Sequence, residues 1–149
     1  KGADFMPKNR VFGRSGGGTT RLLFKLHNFY RNRLGLRLGF EIPLNVFGKG
    51  LHIFHTGNII INETSSVGEY CNIIGSTCLG SKDGGNGPTI GNHCELGMNS
   101  VVIGNVKIGN NVYIGAGAVV TKSFEQNGVS LAGVPAKIVA SRKDSKKAD

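Results

Sequence analysis

From Ile90 onward, aliphatic side chains recur at every sixth residue without a break: Ile90, Leu96, Val102, Ile108, Ile114 and Val120. Four places after each of the first five stand Cys94, Ser100, Val106, Val112 and Ala118, all small or β-branched. Gly91, Gly97, Gly109 and Gly115 directly follow four of the aliphatics. The same register appears upstream as Ile61, Val67, Ile73 and Leu79, with Ser65, Cys71 and Thr77 at the fourth following place. Only the ten residues GSKDGGNGPT, 80–89, separate the two runs. A period of six is neither the 3.6 of a helix nor the 2 of a strand, but short strands joined by tight turns produce it. Each hexad then supplies one strand and one corner. Glycines and asparagines such as Asn92, Asn110 and Asn111 tolerate the backbone angles that corners require. Three such strands close a triangular coil, and stacked coils bury their aliphatic residues along the axis. The pattern predicts an all-β domain, a parallel β-helix, over residues 39–140. Roughly ten aliphatic side chains, worth about 1.5–3 kcal/mol each when buried, suffice for a core because neighbouring coils share it.

The open ends of such a stack need covering, since unpaired strand edges invite aggregation. Within residues 1–38, TTRLLFKLHNFYRNRLG predicts a helical cap. Thr19 or Thr20 can start the helix, and Leu22, Leu23, Leu26, Phe29 and Tyr30 fall near one face. GVPAKIV is expected to end the folded region, with residues 141–149 as a disordered basic tail. A chain of 149 residues with 39% hydrophobic content and no long apolar run fits one cytoplasmic domain without a secretory or membrane-spanning segment. It begins at Lys1 rather than Met, and nothing is concluded from that end.

Charge changes this picture only at the flanks. Residues 1–38 carry nine Lys/Arg against one Asp, residues 39–121 three against five, and residues 122–149 six against three. The basic flanks suit phosphates, an acidic polymer or a membrane surface, or are simply solvated. FKLHNFYRNR interleaves cations with aromatics, but no helix-turn-helix, ribonucleoprotein or zinc-finger signature accompanies it, so nucleic acid is not an expected partner. Cys71, Cys78 and Cys94 contain no CxxC pair, which argues against a disulfide framework or a thiolate zinc site. Cys71 and Cys94 occupy the small position of a hexad, where cysteine serves as a compact hydrophobe.

The repeated [LIV]-G-x-x-[small]-x hexad resembles that of the hexapeptide-repeat acyltransferases, whose parallel β-helices are left-handed. NVKIGNNVYIGAGAVVTKS followed by LAGVPAKIV is similar to the ending shared by many acetyltransferases of this superfamily. Upstream, GFEIPLNVFGKGLHIFHTGNIIINETSSVGEYCNI resembles the serine acetyltransferase branch, including relatives that acetylate sugars of surface polysaccharides. The similarity spans residues 36–140. Serine acetyltransferases usually add a large helical N-terminal domain, for which the first 35 residues are too short. The resemblance therefore implies the polysaccharide relatives, with a sugar hydroxyl of a capsular or other surface polysaccharide, or of its precursor, as acceptor. A serine acetyltransferase without its helical domain and a catalytically silent β-helix scaffold are the alternatives.

That resemblance also implies acetyl-CoA as co-substrate, no metal, and a homotrimer with active sites at subunit interfaces. It makes His55 the general base and, after a one-residue gap in EIPLNVFG, Glu41 the carboxylate that orients it. Counting back six from Ile61 puts His55 at an aliphatic register position, where the β-helix wall is expected to give way to a cleft. The chemistry fits the residue types. Acetyl-CoA is already an activated thioester, so no enzyme nucleophile is needed, but a hydroxyl acceptor needs a base. An imidazole, with a usual pKa near 6.5, supplies one and typically contributes about 10²- to 10⁴-fold in rate. A carboxylate on one ring nitrogen keeps the other as the acceptor, as in the acid–histidine pair of hydrolases.

By the same resemblance, CoA lies in a groove between adjacent β-helices, touching Ser81, Gly97, Met98 and Ala116, with Lys122 or Lys137 meeting its phosphates. Phe54 stands where serine acetyltransferases place an aspartate, and Asn86 and Gly87 stand where they carry a second histidine. Phe54 and Asn86 are thus candidate acceptor contacts, and the loop from Ser81 to Thr89 is expected to project across the interface. The basic N-terminal segment suits peripheral association with an acidic or lipid-linked polysaccharide. A zinc site of the carbonic anhydrase kind needs three placed ligands, and the spacing of His52, His55 and His93 does not match it.

Overall fold

The computed structural model describes residues 18–141, in which one helix is followed by fourteen short strands. Three strands make each coil. One face of the prism holds five parallel strands: β1 (Phe40–Glu41), β3 (Ile59–Ile61), β6 (Cys78–Gly80), β9 (Val101–Ile103) and β12 (Val119–Val120). A second holds β4 (Ser66–Val67), β7 (Thr89–Ile90) and β10 (Lys107–Ile108), extended by single bridges from Phe47 to Val67 and from Ile108 to Phe124. The third holds β2 (His52–Ile53), β5 (Asn72–Ile73), β8 (Glu95–Leu96), β11 (Tyr113–Ile114), β13 (Val129–Ala132) and β14 (Lys137–Ser141).

Every aliphatic residue of the six-residue register, from Ile61 to Val120, is buried in the axial column. So are the small positions, Ser65, Cys71, Thr77, Cys94, Ser100, Val106, Val112 and Ala118. Coils stack in register, with Ile73 over Ile53 and Leu96 over Ile73, so each inward residue packs on its equivalents above and below. Two hydroxyls in the column, Ser65 Oγ and Ser100 Oγ, are buried without a hydrogen-bond partner. Ser100, the more deeply buried, lies between Thr77 and Ala118. Ser100→Ala removes that desolvated group and is expected to stabilise the fold by about 1 kcal/mol. Thermal denaturation would show this as a higher melting temperature.

The corners divide two tasks that the sequence reading assigned together. Asn111 adopts positive φ (55°), as do Tyr70 (53°) and His93 (55°) on the same edge. Asn92 and Asn110 instead use their side chains. Glu69 N–H donates to Asn92 Oδ1 (2.8 Å), Asn92 N–H to Asn110 Oδ1 (2.8 Å), and Asn110 N–H to Asn127 Oδ1 (2.7 Å). Each corner amide is satisfied by the asparagine of the following coil, which pins the stacking register.

The ends depart from expectation in one respect. Helix α1 (Gly18–Leu38, 21 residues) is present, but Leu22, Leu23, Leu26, Phe29 and Tyr30 are exposed and do not cap the coil. Gly39, at φ 72°, ends the helix and turns the chain directly into β1, so α1 meets the coil through its C-terminal part. Phe40, Ile42, Phe47 and Leu51 pack against that end of the core instead. At the other end, β14 pairs antiparallel with β13 and covers the final edge. The expected tail, apart from Ser141 in β14, and the first seventeen residues lie outside the described residues.

Candidate active site

His55 owes its position to a longer corner. Later coils pass from Ile73 to Leu79, and from Leu96 to Val102, in six residues, whereas the first coil takes eight from Ile53 to Ile61. Ile53 pairs with Ile73 and fills the inward place that the six-residue count gave to His55. The histidine therefore does not interrupt the core. It rides, exposed, on a corner widened by two residues, between the six-stranded and five-stranded faces.

The following coils leave room beside it. A Cβ on Gly75 would lie 3.3 Å from His55 Cβ and 3.6 Å from Met98 Cε, so Gly75 separates the histidine from Met98 on the same edge. Gly97 and Ala116 occupy that edge in the next two coils, where a Cβ on Gly97 would come within 2.7 Å of Ala116 N. Gly97 is thus required for close coil stacking. Gly75 has φ 152°. Gly75→Ala would strain that backbone and push against the His55 side chain. A misplacement of about 1 Å costs on the order of 10² in rate, and the shift forced on His55 is a few tenths of an ångström, so with His55 as the base kcat is expected to fall by less than that, with the fold retained. Steady-state kinetics alongside circular dichroism would check it.

Glu41 lies on β1, in register with Ile60, on the outer surface of the five-stranded face. Within the protomer, neither the His55 ring nor the Glu41 carboxylate makes a hydrogen bond or ion pair among the described residues. The structure brings the two to one side of the first coil without joining them. Below Glu41 the outward column continues as Ile60, Cys78, Val101 and Val119, an apolar stripe in which Ile60 is 47% exposed. The corresponding outward row on the six-stranded face is His52, Asn72, Glu95, Tyr113 and Ser130, which is polar or amphipathic. No motif drew attention to that stripe, although the runs III at 59–61 and VVI at 101–103 carry it.

The remaining expected residues sit elsewhere. Ser81 and Lys122 lie past the opposite edge of the five-stranded face. Ser81 Oγ accepts from Asn62 Nδ2 (3.3 Å), and Lys122 Nζ stands 5.4 Å from the Phe124 ring centroid. Asn86 is exposed on the loop there, which Gly87 N–H ties back to Thr64 Oγ1 (2.7 Å). Lys137 is exposed on β14, paired with Ala132 at the last coil. Phe54 is exposed beside His55, its ring centroid 4.2 Å from that of His52. Apart from Lys137, the chain therefore presents these residues in two separate groups, on the two edges that flank the apolar face.

Other titratable groups have structural surroundings. His93 stacks on Tyr70 at 5.3 Å on a different edge, and His27 Nδ1 lies 2.9 Å from Leu23 O within α1. The contact with Cys94 lowers the Cys71 thiol pKa, and burial raises that of Cys78. Among the described residues, no group of three or more His, Cys, Asp or Glu is placed to hold a metal ion.

Residues 87–122 match the bacterial transferase hexapeptide family (six repeats). The chain is 36% identical over 108 residues to the serine acetyltransferase of Synechococcus elongatus, covering 70% of this chain and 44% of that protein. Against the serine acetyltransferase of Escherichia coli K12 it is 32% identical over 115 residues, 74% of this chain and 42% of the relative. The fold matches the crystal structure of Neisseria gonorrhoeae serine acetyltransferase with a TM-score of 0.70 at 32% identity, over 85% of this chain and 50% of that one. For the Brucella abortus enzyme the TM-score is 0.72 at 25% identity, over 84% and 52%. The chain spans about half the length of these relatives. The β-helix thus carries repeats of the hexapeptide transferase type and is similar in sequence and fold to the corresponding half of serine acetyltransferases.

Proposed function

We propose that the chain is an acetyl-CoA-dependent O-acetyltransferase in which His55 acts as general base. The observation that carries this reading is the exposed His55 on its widened corner, in line with Met98 and Ala116 on the edge of a serine acetyltransferase-like coil. In the reaction, the acceptor hydroxyl oxygen bonds to the thioester carbonyl carbon while the imidazole takes the hydroxyl proton. The C–S bond then breaks and the proton passes to the departing CoA sulfur. Glu41 orients the imidazole once substrate or a neighbouring subunit closes the site.

Two separate edges suit a site assembled from two protomers. In a homotrimer, the stripe of Ile60, Cys78, Val101 and Val119 packs against a second copy. The edge bearing His55, Gly97, Met98 and Ala116 then faces the other copy's edge bearing Ser81, Lys122 and the Asn86 loop. CoA lies in the groove between them, with Lys122 or Lys137 on its phosphates.

For the acceptor, the relatives support serine. One of them, the Neisseria gonorrhoeae enzyme, is known in complex with serine, with a TM-score of 0.67 at 31% identity. A saccharide of a capsular or other surface polysaccharide is the second reading, and Phe54 favours it. An exposed phenyl ring offers no counter-charge to an amino acid's ammonium group but gives a sugar ring a flat apolar surface. CoA release from acetyl-CoA, measured with L-serine and with a panel of sugars and capsular oligosaccharides, decides between them. Turnover with serine supports the first reading, and turnover with a saccharide but not serine replaces it by the second. Failure to bind acetyl-CoA would sink both and leave a non-catalytic scaffold.

A further inference from the structure

The loop between β6 and β7, residues 81–88, takes eight residues where the same corner of the following coil, 104–106, takes three. Its length and its glycines suggest slack, but its hydrogen bonds hold it at three points. At the tip, Gly85 N–H donates to Lys82 O (2.9 Å), and Asp83 and Gly84 both have positive φ, 53° and 71°. That combination is a type I′ turn, the tight turn of hairpins. At the base, one corner of the first coil grips both ends of the loop. Asn62 Nδ2 donates to Ser81 Oγ (3.3 Å), and Gly87 N–H donates to Thr64 Oγ1 (2.7 Å).

The Thr64 hydroxyl is itself oriented. It donates to Asn62 Oδ1 (2.5 Å), which also accepts from Thr64 N–H (2.9 Å). A hydroxyl has one proton and two lone pairs, so with the proton committed to Asn62 only acceptor capacity is left for Gly87 N–H. Gly87 sits so close to the first coil that a Cβ there would collide with Ser65 Oγ and stand 3.1 Å from Ser65 N. Gly87 and Pro88 are buried, and Ser66 N–H donates to Pro88 O (2.9 Å) as the chain rejoins the coil. Residues 82–86 are exposed. Asn86 is the last of them, one residue before the clamped amide. We propose that Thr64 is a positioning residue: with Asn62 it holds both ends of the loop, so that Asn86 meets the acceptor already ordered, in the site completed by a neighbouring copy. This inference rests on the two-protomer reading above. A loop held in its binding pose takes up the acceptor without an ordering cost, and releasing it adds that cost to ground state and transition state alike. Loss of the clamp therefore falls on the acceptor KM rather than on kcat.

Thr64→Val keeps the shape of the side chain and removes the hydroxyl. Hydrogen exchange at the Gly87 amide should quicken about tenfold, with an unchanged circular dichroism spectrum. With L-serine, or with whichever saccharide of the panel above is turned over, the acceptor KM should rise about fivefold to tenfold, the worth of one ordinary hydrogen bond. The kcat and the KM for acetyl-CoA should hold. Thr64→Ser, which keeps the hydroxyl, should restore both the exchange rate and the acceptor KM. Asn86→Ala should raise the same KM, and Thr64→Val combined with Asn86→Ala should raise it no further, because Thr64 acts through Asn86. A wild-type acceptor KM in Thr64→Val, in an assay where His55→Ala is inactive, overturns the inference and leaves the enzyme reading standing. Additive effects in the double variant overturn it too. A wild-type protein that turns over no acceptor overturns the two-protomer reading itself, and this inference with it.

Discussion

Replacing His55 by alanine is expected to lower the rate of acetyl transfer about 10²- to 10⁴-fold, the usual contribution of a positioned general base. Acetyl-CoA binding and melting temperature should stay close to those of the wild type. The side chain is exposed on a corner and makes no hydrogen bond within the protomer, and surface substitutions of that kind usually change stability by no more than about 0.5 kcal/mol. Separating kcat from KM is the decisive measurement, because a base acts in the transition state and its loss falls on kcat. Glu41→Gln should show the same signature with a smaller loss, since an amide still orients a ring by hydrogen bonding. A His55→Ala enzyme that turns over at the wild-type rate would remove the histidine from the mechanism.

Val101→Asp carries the other large effect. Val101 stands at the middle of the outward apolar stripe, between Cys78 and Val119, and only half-buried in the protomer. The folded coil can therefore accept aspartate there, with the carboxylate in water. A trimer formed through this face cannot, because an unpaired carboxylate sealed into an apolar interface costs several kcal/mol. Light scattering should report a protomer-sized particle, and CoA release should fall to background although His55 is untouched, because the two edges of the site no longer meet. Ser130→Asp, on the polar row of the six-stranded face, is the control and should leave mass and activity unchanged. A trimeric, active Val101→Asp protein would show that this face is not the subunit contact.

The core was legible because the six-residue period is a burial code. Every residue of the register, from Ile61 to Val120, points inward as counted, and the small positions are buried as well. The position of His55 was not legible. Its neighbours in sequence singled it out, yet the count of six placed it inside the column. The structure puts it outside, on a corner lengthened by two residues, because Ile53 takes the inward place through its pairing with Ile73. An insertion of two residues leaves the alternation of inward and outward side chains intact, so the hydrophobic pattern does not register it. The N-terminal helix taught a related lesson, since the spacing of its leucines and aromatics predicted a cap, yet the structure leaves them exposed.

What the sequence determined by itself was everything that each coil repeats: the strand and corner units, the inward aliphatic column and the small residues at the turns. These depend on a residue and its nearest neighbours along the stack, so the same local rule acts in every coil. Tertiary structure alone decided which outer face is apolar, which edge receives His55 with Met98, which receives Ser81 with the Asn86 loop, and where α1 leaves the coil. Each of those is set by how residues about 18 apart superpose once three strands close a turn. A single extra pair of residues shifts that superposition without altering composition or period.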